Sequence, residues 1–156
     1  MHIIRLRGPW EVEPIARFVP QAEGTYQPQE ENLPAAARMK MPADWSGAFG
    51  PDFCGRVAYR RLFHWTTPLY ETERVFLVVE PPRSHACVTL KKKLVGFVDQ
   101  GEPAKRFDIT DRLEENNELE ILVDHPSLNH MRSTVGDPRK LPPGGLIGEV
   151  RLEIEE

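Results

Sequence analysis

Short stretches in which apolar and polar residues alternate recur along the chain. Segments 118–123 and 149–155 show the pattern most clearly, with glutamates and other charged residues between the apolar positions. A period of two predicts strands with one buried and one solvated face. The residues expected to face inward are Leu119, Ile121 and Val123 in the first segment and Val150, Leu152 and Ile154 in the second.

Other segments extend the same prediction. Arg56–Phe63 places Val57, Tyr59 and Phe63 on one face, and Arg61 shares that face. Arg61 is therefore either a paired buried cation or a sign that the strand leaves the core early. Segment 74–79 is apolar on both faces, as a covered central strand would be. Shorter strands are predicted at 3–6, 10–15, 86–90, 94–98 and 105–109.

Two stretches lack alternation. Residues 19–55 form a long connection with regularly spaced prolines, and Pro34 followed by Ala35–Arg38 favours a short helix there. Residues 125–145 form a loop rich in histidine and charged residues. Loops on a rigid β scaffold often carry binding residues.

Composition narrows the fold class. The chain has 156 residues, of which 40% are hydrophobic and 15 are prolines. That proline content, about twice the roughly 5% of average usage, disfavours helical bundles. About eight short strands and many turns predict an all-β fold, a β-sandwich or barrel, in a single domain over 1–156.

Charge and targeting signals exclude several classes of function. The net charge is -4 and the basic residues are scattered apart from Lys91–Lys93, so no nucleic-acid partner is expected. The start of the chain is too polar for a signal peptide and no apolar run reaches membrane-spanning length, which predicts a cytoplasmic protein without a membrane partner. Cys54 and Cys87 are expected to be buried thiols rather than a disulfide.

Chemical motifs are nearly absent. There is no glycine-rich phosphate loop, no zinc-type spacing and no nucleophile elbow. Asp124, His125 and His130 suggest a metal or acid-base site, but solvated loop residues are the favoured interpretation. The lysine run favours a solvated hairpin tip over an anion site.

The tryptophans are candidates for sugar recognition, which needs flat aromatic faces and a few polar groups. Trp10 opens a strand and Trp45 follows a turn sequence, so both are expected to be packing anchors. Trp65 follows the end of a strand, where its ring is either exposed at a rim or packed in the core.

Taken in order, several short segments resemble signatures of the N-terminal sugar-binding domain of family-two glycoside hydrolases, the β-galactosidase, β-glucuronidase and β-mannosidase type. This resemblance implies a jelly-roll sandwich of the galactose-binding-like type. The segments are 6–10 (LRGPW), 41–45 (MPADW), 55–63 (GRVAYRRLF), 86–90, 94–96, 107–113, 117–119 and 144–146.

Two departures from the family bear on structure and function. Lys91 and Lys92 replace the Asn-Gly pair of the relatives, so a turn longer than two residues or of another type than I′ is expected. The catalytic glutamates of the family belong to a barrel of about 250 residues, for which this sequence has no room. No catalytic residue is carried over, and the domain is predicted not to be an enzyme.

Three hypotheses on function follow. The first is a non-catalytic, carbohydrate-associated module. The second is an interaction or scaffold domain that contacts itself, another protein or a separately encoded hydrolase through the face of Phe76 and Val78. The third, an enzyme, lacks any catalytic constellation.

A glycan site, if present, is predicted at one rim of the sandwich, where the 125–145 loop would meet the strand end at Trp65. Trp65 and Tyr70 are candidates for stacking, and His130, Arg132 and Asp137 for hydrogen bonds to hydroxyl groups. No cofactor is expected. A structural calcium stays open, since only separate loops could assemble its site.

Overall fold

The computed structural model describes residues 1–22, 24–127 and 141–156. Two antiparallel sheets face each other, which confirms the predicted β-sandwich. The smaller sheet has the strand order β1-β13-β7-β10, and the larger has the order β3-β2-β6-β11-β8-β9 with β4 also paired to β2. A small pair of strands, β12 and β5, stands apart.

The strands alternate with short turns, and the helical segments are brief. The strands are β1 His2–Arg5, β2 Trp10–Pro20, β3 Tyr26–Gln29, β4 Ala37–Met39, β5 Ala43–Asp44, β6 Gly55–His64, β7 Arg74–Val79, β8 His85–Leu90, β9 Lys93–Asp99, β10 Lys105–Asp108, β11 Asn116–His125, β12 Gly145–Leu146 and β13 Val150–Glu155. The helix α1 spans Ser46–Phe49 and a 3-10 turn spans Thr110–Arg112. No helix in the described ranges is long and apolar enough to span a membrane.

The core lies between the two sheets and uses the faces that alternation predicts. Val57 and Tyr59 of β6 and Leu119, Ile121 and Val123 of β11 are fully buried. They pack in one cluster with inward residues of the smaller sheet. Trp10 and Trp45 are also fully buried, so both are packing anchors as expected.

Arg61 fits neither interpretation offered for it. Phe63, two residues later, is still buried, so β6 does not leave the core early. The Nε of Arg61 is enclosed and has no hydrogen-bond acceptor among the described residues. Arg61 is therefore a partly buried cation at an inward position, without a partner in the part of the chain that the structure describes.

The short helix expected after Pro34 is not formed. Residues Ala37–Met39 instead make strand β4, in which Ala37 and Met39 pair with Val12 and Trp10 of β2. Tertiary pairing overrides the helix propensity of the three alanines because β2 offers an open edge at this point. Among the described residues of the long connection, the helical ones are Ser46–Phe49.

The second face of β7, proposed as an interaction surface, is covered by charged side chains of the same sheet. Val78 is 3% exposed, and the guanidinium of Arg106 lies 3.5 Å from the centre of the Phe76 ring. Arg106 and Arg151 both form ion pairs with Glu153, at 3.2 and 2.8 Å. This face therefore offers no open apolar surface at Phe76 and Val78.

The β8–β9 turn corrects the expectation drawn from its lysines. Leu90 pairs directly with Lys93, so the turn has only two residues. Lys91 and Lys92 have φ of 50° and 67°, the left-handed values of a type I′ turn. The Lys91 amide donates to Glu118 O at 2.8 Å, and its Nζ contacts Glu114 and the Arg112 carbonyl. These contacts hold an unfavourable backbone in place.

We predict that Lys92→Gly stabilises the domain by about 0.5–1 kcal/mol, because glycine adopts positive φ without steric cost. Urea unfolding followed by tryptophan fluorescence measures the change. Lys93→Gly is the matched control: Lys93 lies in the strand, and glycine there lowers the unfolding free energy by about 0.5–1 kcal/mol. A loss of stability in Lys92→Gly contradicts the turn assignment.

Candidate functional site

A groove of about 320 Å³ opens at one edge of the sandwich, between β1 and the connection that crosses from β6 to β7. Its volume lies in the range of small-molecule sites. We call it the Trp65 groove. Its lining residues are His2, Ile4, His64, Trp65, Thr66, Thr67, Pro68, Leu69, Glu73 and Ile154.

The groove exists because the core is uncovered along β1. His2 and Ile4 pair with Ile154 and Leu152 of β13, and directly paired residues share a face of the sheet. Leu152 is 2% exposed, whereas Ile4 is 36% exposed. Inward-facing side chains therefore become accessible toward the start of β1, where the larger sheet no longer covers them.

Trp65 forms one wall of this groove. Its amide donates to the Glu115 carbonyl at 2.9 Å, which fixes the chain directly after β6. The ring is partly buried and packs against the core with Leu69 and Ile154. Its indole N–H is enclosed without an acceptor among the described residues. Trp65 is therefore both packed and accessible, which combines the two alternatives offered by its sequence position.

Polar groups stand at the groove entrance. The Nδ1 of His64 lies 2.6 Å from Oδ1 of Asn116; since that oxygen only accepts, Nδ1 donates the hydrogen bond. One carboxylate oxygen of Glu73, Oε1, accepts the Tyr70 amide at 2.8 Å. Thr66 and Thr67 contribute exposed hydroxyl groups. An apolar wall with a few fixed polar groups is the usual chemistry of a sugar site.

Tyr70, the second predicted stacking residue, belongs to the same connection. Its side chain is 78% exposed. It does not line the groove itself but lies between Leu69 and Glu73, which do. The structure thus brings Trp65 and Tyr70 to one end of the sandwich, as the sequence-based hypothesis requires.

The other three predicted residues, His130, Arg132 and Asp137, lie outside the described residues. The described ends of their loop, however, are far from Trp65. His125 pairs with Gly55 at the start of β6, and Asn116 pairs with His64 at its end. With ten paired residues at about 3.4 Å each, the His125 end of the ladder lies about 30 Å from the His64 end. The described ends of the loop thus lie at the opposite end of the β6–β11 ladder from Trp65, and a site shared by the 125–145 loop and Trp65 stays a prediction.

His125 also corrects the expectation of a solvated loop residue, because its side chain is 3% exposed. Its Nε2 lies 2.8 Å from the Pro142 carbonyl, which only accepts, so Nε2 carries the hydrogen. The Ser84 hydroxyl then donates to Nδ1 at 2.6 Å. The Trp45 ring packs edge-on to the imidazole. His125 therefore ties the two described ends of the late loop together.

Asp124 and the cysteines have structural roles. Asp124 accepts two hydrogen bonds from Arg56, at 2.7 and 2.9 Å, which is the bidentate pairing typical of arginine and carboxylate. Cys54 and Cys87 are free thiols, and burial raises the pKa of Cys54 to about 11. Within the described ranges no group of three metal-ligating side chains is present.

Sequence reasoning missed most of the groove. His2, Ile4, Glu73 and Ile154 come from three separate parts of the chain, and only strand pairing brings them together. The alternation at 3–6 predicts a strand but not that its inward face is uncovered. A signal was present in Trp65 and Leu69, two large apolar residues in a connection rather than in a strand.

Comparisons with known proteins identify solved structures that share this fold. No family model and no curated protein matches the chain. Among solved structures, an FMN-binding β-glucuronidase from Faecalibacterium prausnitzii L2-6 matches with TM-score 0.71 and 24% identity over 98% of this chain. A Bifidobacterium dentium β-glucuronidase matches with TM-score 0.68 and 19% identity over 97%. A β-D-mannosidase from Dictyoglomus thermophilum matches with TM-score 0.60 and 19% identity over 98%.

The matched region is a small part of those enzymes. This chain covers 22% of the first, 29% of the second and 22% of the third. The fold is thus that of a β-sandwich domain found in glycoside hydrolases of this type. The resemblance to the N-terminal domain of family-two glycoside hydrolases is confirmed at the level of the fold.

We predict that His125 makes the domain less stable in acid. Burial lowers the pKa of His125 in the folded state, so the unfolded chain, with a pKa of 6.5, takes up a proton first as the pH falls. The contribution of neutral His125 to the free energy of unfolding is therefore complete above about pH 6.5 and is lost progressively below it. Urea unfolding between pH 8 and pH 5 measures this loss.

His125→Asn is expected to lower the free energy of unfolding at every pH, since it disturbs the loop base. Below about pH 6.5, however, its free energy of unfolding should fall less steeply with decreasing pH than that of the original chain, because the contribution of His125 is gone. His64→Gln is the matched control for loss of a histidine, because His64 is exposed and lies at the other end of the β6–β11 ladder. If the free energy of unfolding of His125→Asn depends on pH as steeply as that of the original chain, the acid sensitivity does not come from His125.

Proposed function

We propose that the domain is a carbohydrate-associated module without catalytic activity of its own, and that it binds a sugar in the Trp65 groove. The observation that carries the proposal is the groove itself, which combines the Trp65 ring, an apolar floor of Ile4 and Ile154 and a rim of hydroxyl, imidazole and carboxylate groups. Apolar ring faces pack on sugar C–H groups, and the rim orients the hydroxyls.

The fold supports the association with carbohydrate, since the solved structures that share it include β-glucuronidases and a β-mannosidase. Fold alone does not define function, so the proposal depends on the groove. The absence of catalysis is argued from the described residues: the groove lining includes one carboxylate, Glu73, whereas glycoside hydrolysis commonly uses a pair.

A specific observation favours a second candidate, self-association through β1. This strand is an edge of the smaller sheet, and Met1, Ile3 and Ile4 are exposed. The Leu6 amide donates to Val150 O, so by alternation Ile3 and Arg5 direct their backbone groups away from the sheet. If the β1 strands of two copies pair antiparallel with Ile4 at the centre, Ile3 of each copy lies opposite Arg5 of the other. This register is self-complementary, as a symmetric dimer requires.

For sugar binding, we predict that Trp65→Leu lowers affinity at least tenfold, because leucine fills space but offers no flat ring face. Tyr70→Ala is expected to lower affinity less, since Tyr70 only flanks the groove. Calorimetric titration with galactosides, glucosides and mannosides measures binding, and urea unfolding checks that each variant is folded.

Phe97→Leu is the matched control. Phe97 is an aromatic residue, 49% exposed, on β9 and away from the groove lining. Its replacement is expected to leave sugar affinity unchanged. No binding of any neutral or acidic glycoside to the original chain, or equal losses in Phe97→Leu and Trp65→Leu, overturns the proposal.

For self-association, we predict a concentration-dependent dimer in sedimentation velocity that Ile3→Pro abolishes. Proline at this position removes an outward N–H without removing a bond of the β1–β13 ladder. Ile3→Val keeps both the N–H and the shape and is expected to leave the dimer intact. A monomer at all concentrations excludes this second candidate.

A further inference from the structure

The charges around the Trp65 groove are one-sided. Glu73 is the one acidic residue among its described lining residues, and neither lysine nor arginine is among them. The basic groups that line it are the imidazoles of His2 and His64. An adjoining hollow shares His2, Glu73 and Ile154 with the groove and adds Met1, Glu155 and Glu156, of which Glu155 is already paired with Arg106. Glu73 is therefore the one acidic group that a ligand meets in the described lining of the groove.

Two arginines of the smaller sheet, Arg74 and Arg106, are already paired. Arg74, which directly follows Glu73, binds Asp108 at 2.8 Å and lies 3.7 Å from Asp111. Arg106 is held by Glu153 and Glu155. A second carboxylate entering the groove would meet Glu73 and would find no guanidinium or ammonium side chain among the described lining residues. Moving a carboxylate out of water without a cationic partner is unfavourable.

Glu73 is also positioned to accept a hydroxyl. The Tyr70 amide holds its Oε1 at 2.8 Å, which fixes the carboxylate orientation. No described group bonds Oε2 within hydrogen-bond distance in this structure. A charged acceptor makes a stronger hydrogen bond with a hydroxyl than a neutral one does.

From these contacts, and resting on the proposed sugar binding, we infer that the Trp65 groove selects neutral glycosides over uronosides and that Glu73 is the residue that determines this specificity. Its carboxylate accepts a sugar hydroxyl and repels a sugar carboxylate. The selectivity is therefore opposite to what the names of the β-glucuronidases that share the fold would suggest.

The test compares methyl β-D-glucoside with methyl β-D-glucuronide, which differ only in having a hydroxymethyl or a carboxylate group at C5. The affinities are measured by calorimetric titration at pH 8 and low salt, since salt would screen the charge interaction that is compared. We expect the glucoside to bind about 5- to 10-fold more tightly, as one like-charge contact at about 4 Å in a water-like dielectric predicts. Galactose and mannose pairs of the same design cover other ring stereochemistries.

Two variants separate the role of Glu73 from net charge. Glu73→Gln is expected to weaken glucoside binding, to strengthen glucuronide binding and to bring their affinity ratio to about 2 or below. Glu71→Gln removes the same charge from an exposed residue of the same connection that does not line the groove, and it is expected to keep the original ratio.

The outcomes distinguish this inference from the proposed function. Equal or tighter binding of the uronosides, or an unchanged ratio in Glu73→Gln, overturns the selectivity while sugar binding stands. If neither member of any pair binds, the proposed function fails, and the selectivity fails with it.

Discussion

The antiparallel pairing of β6 with β11 is the constraint on which the rest of the structure depends. Its ten pairs run without a break from Gly55 opposite His125 to His64 opposite Asn116. The inward side chains of both strands form the centre of the core, and the outward ones form ion pairs such as Arg56 with Asp124 and Arg60 with Glu120. Because both strands are fully paired, the ladder also separates two ends of the molecule with different chemistry.

At one end, the ladder terminates in a closed structure. His125 is buried and bonded to Ser84 and Pro142, so its polar atoms are already satisfied. At the other end, the chain crosses from β6 to β7 and leaves the start of β1 uncovered. The Trp65 groove forms there because the smaller sheet extends beyond the cover that the larger sheet provides. The location of the candidate site thus follows from the unequal overlap of the two sheets.

Alternation was sufficient to predict the principal strands and their buried faces, because a period of two relates each side chain directly to a face of the sheet. Val57, Leu119 and Leu152 are examples. Local propensity failed where tertiary pairing decides the backbone. Ala37 is in a strand because β2 needs a partner, and Lys92 adopts positive φ because Leu90 and Lys93 are already paired.

The candidate site was predictable only in part. Trp65 was identifiable because a large aromatic residue directly after a strand is unusual for a simple turn. Its neighbours His2, Ile4 and Glu73 were not, since their approach depends on which strands pair and at which end the connections cross. The sequence also did not show that the described ends of the 125–145 loop lie far from Trp65, since it does not reveal that β6 and β11 are antiparallel neighbours over their whole length.

The most direct test of the central claim, that sugar binds where the sheets leave the core uncovered, is an NMR titration of the ¹⁵N-labelled domain with a neutral glycoside. The account predicts that shifts concentrate on the amides of His2, Ile4, Thr66 and Leu69 and on the indole N–H of Trp65, with those of Ser84 and His125 unchanged. Shifts centred on Ser84 and His125, or on Phe97, would contradict it.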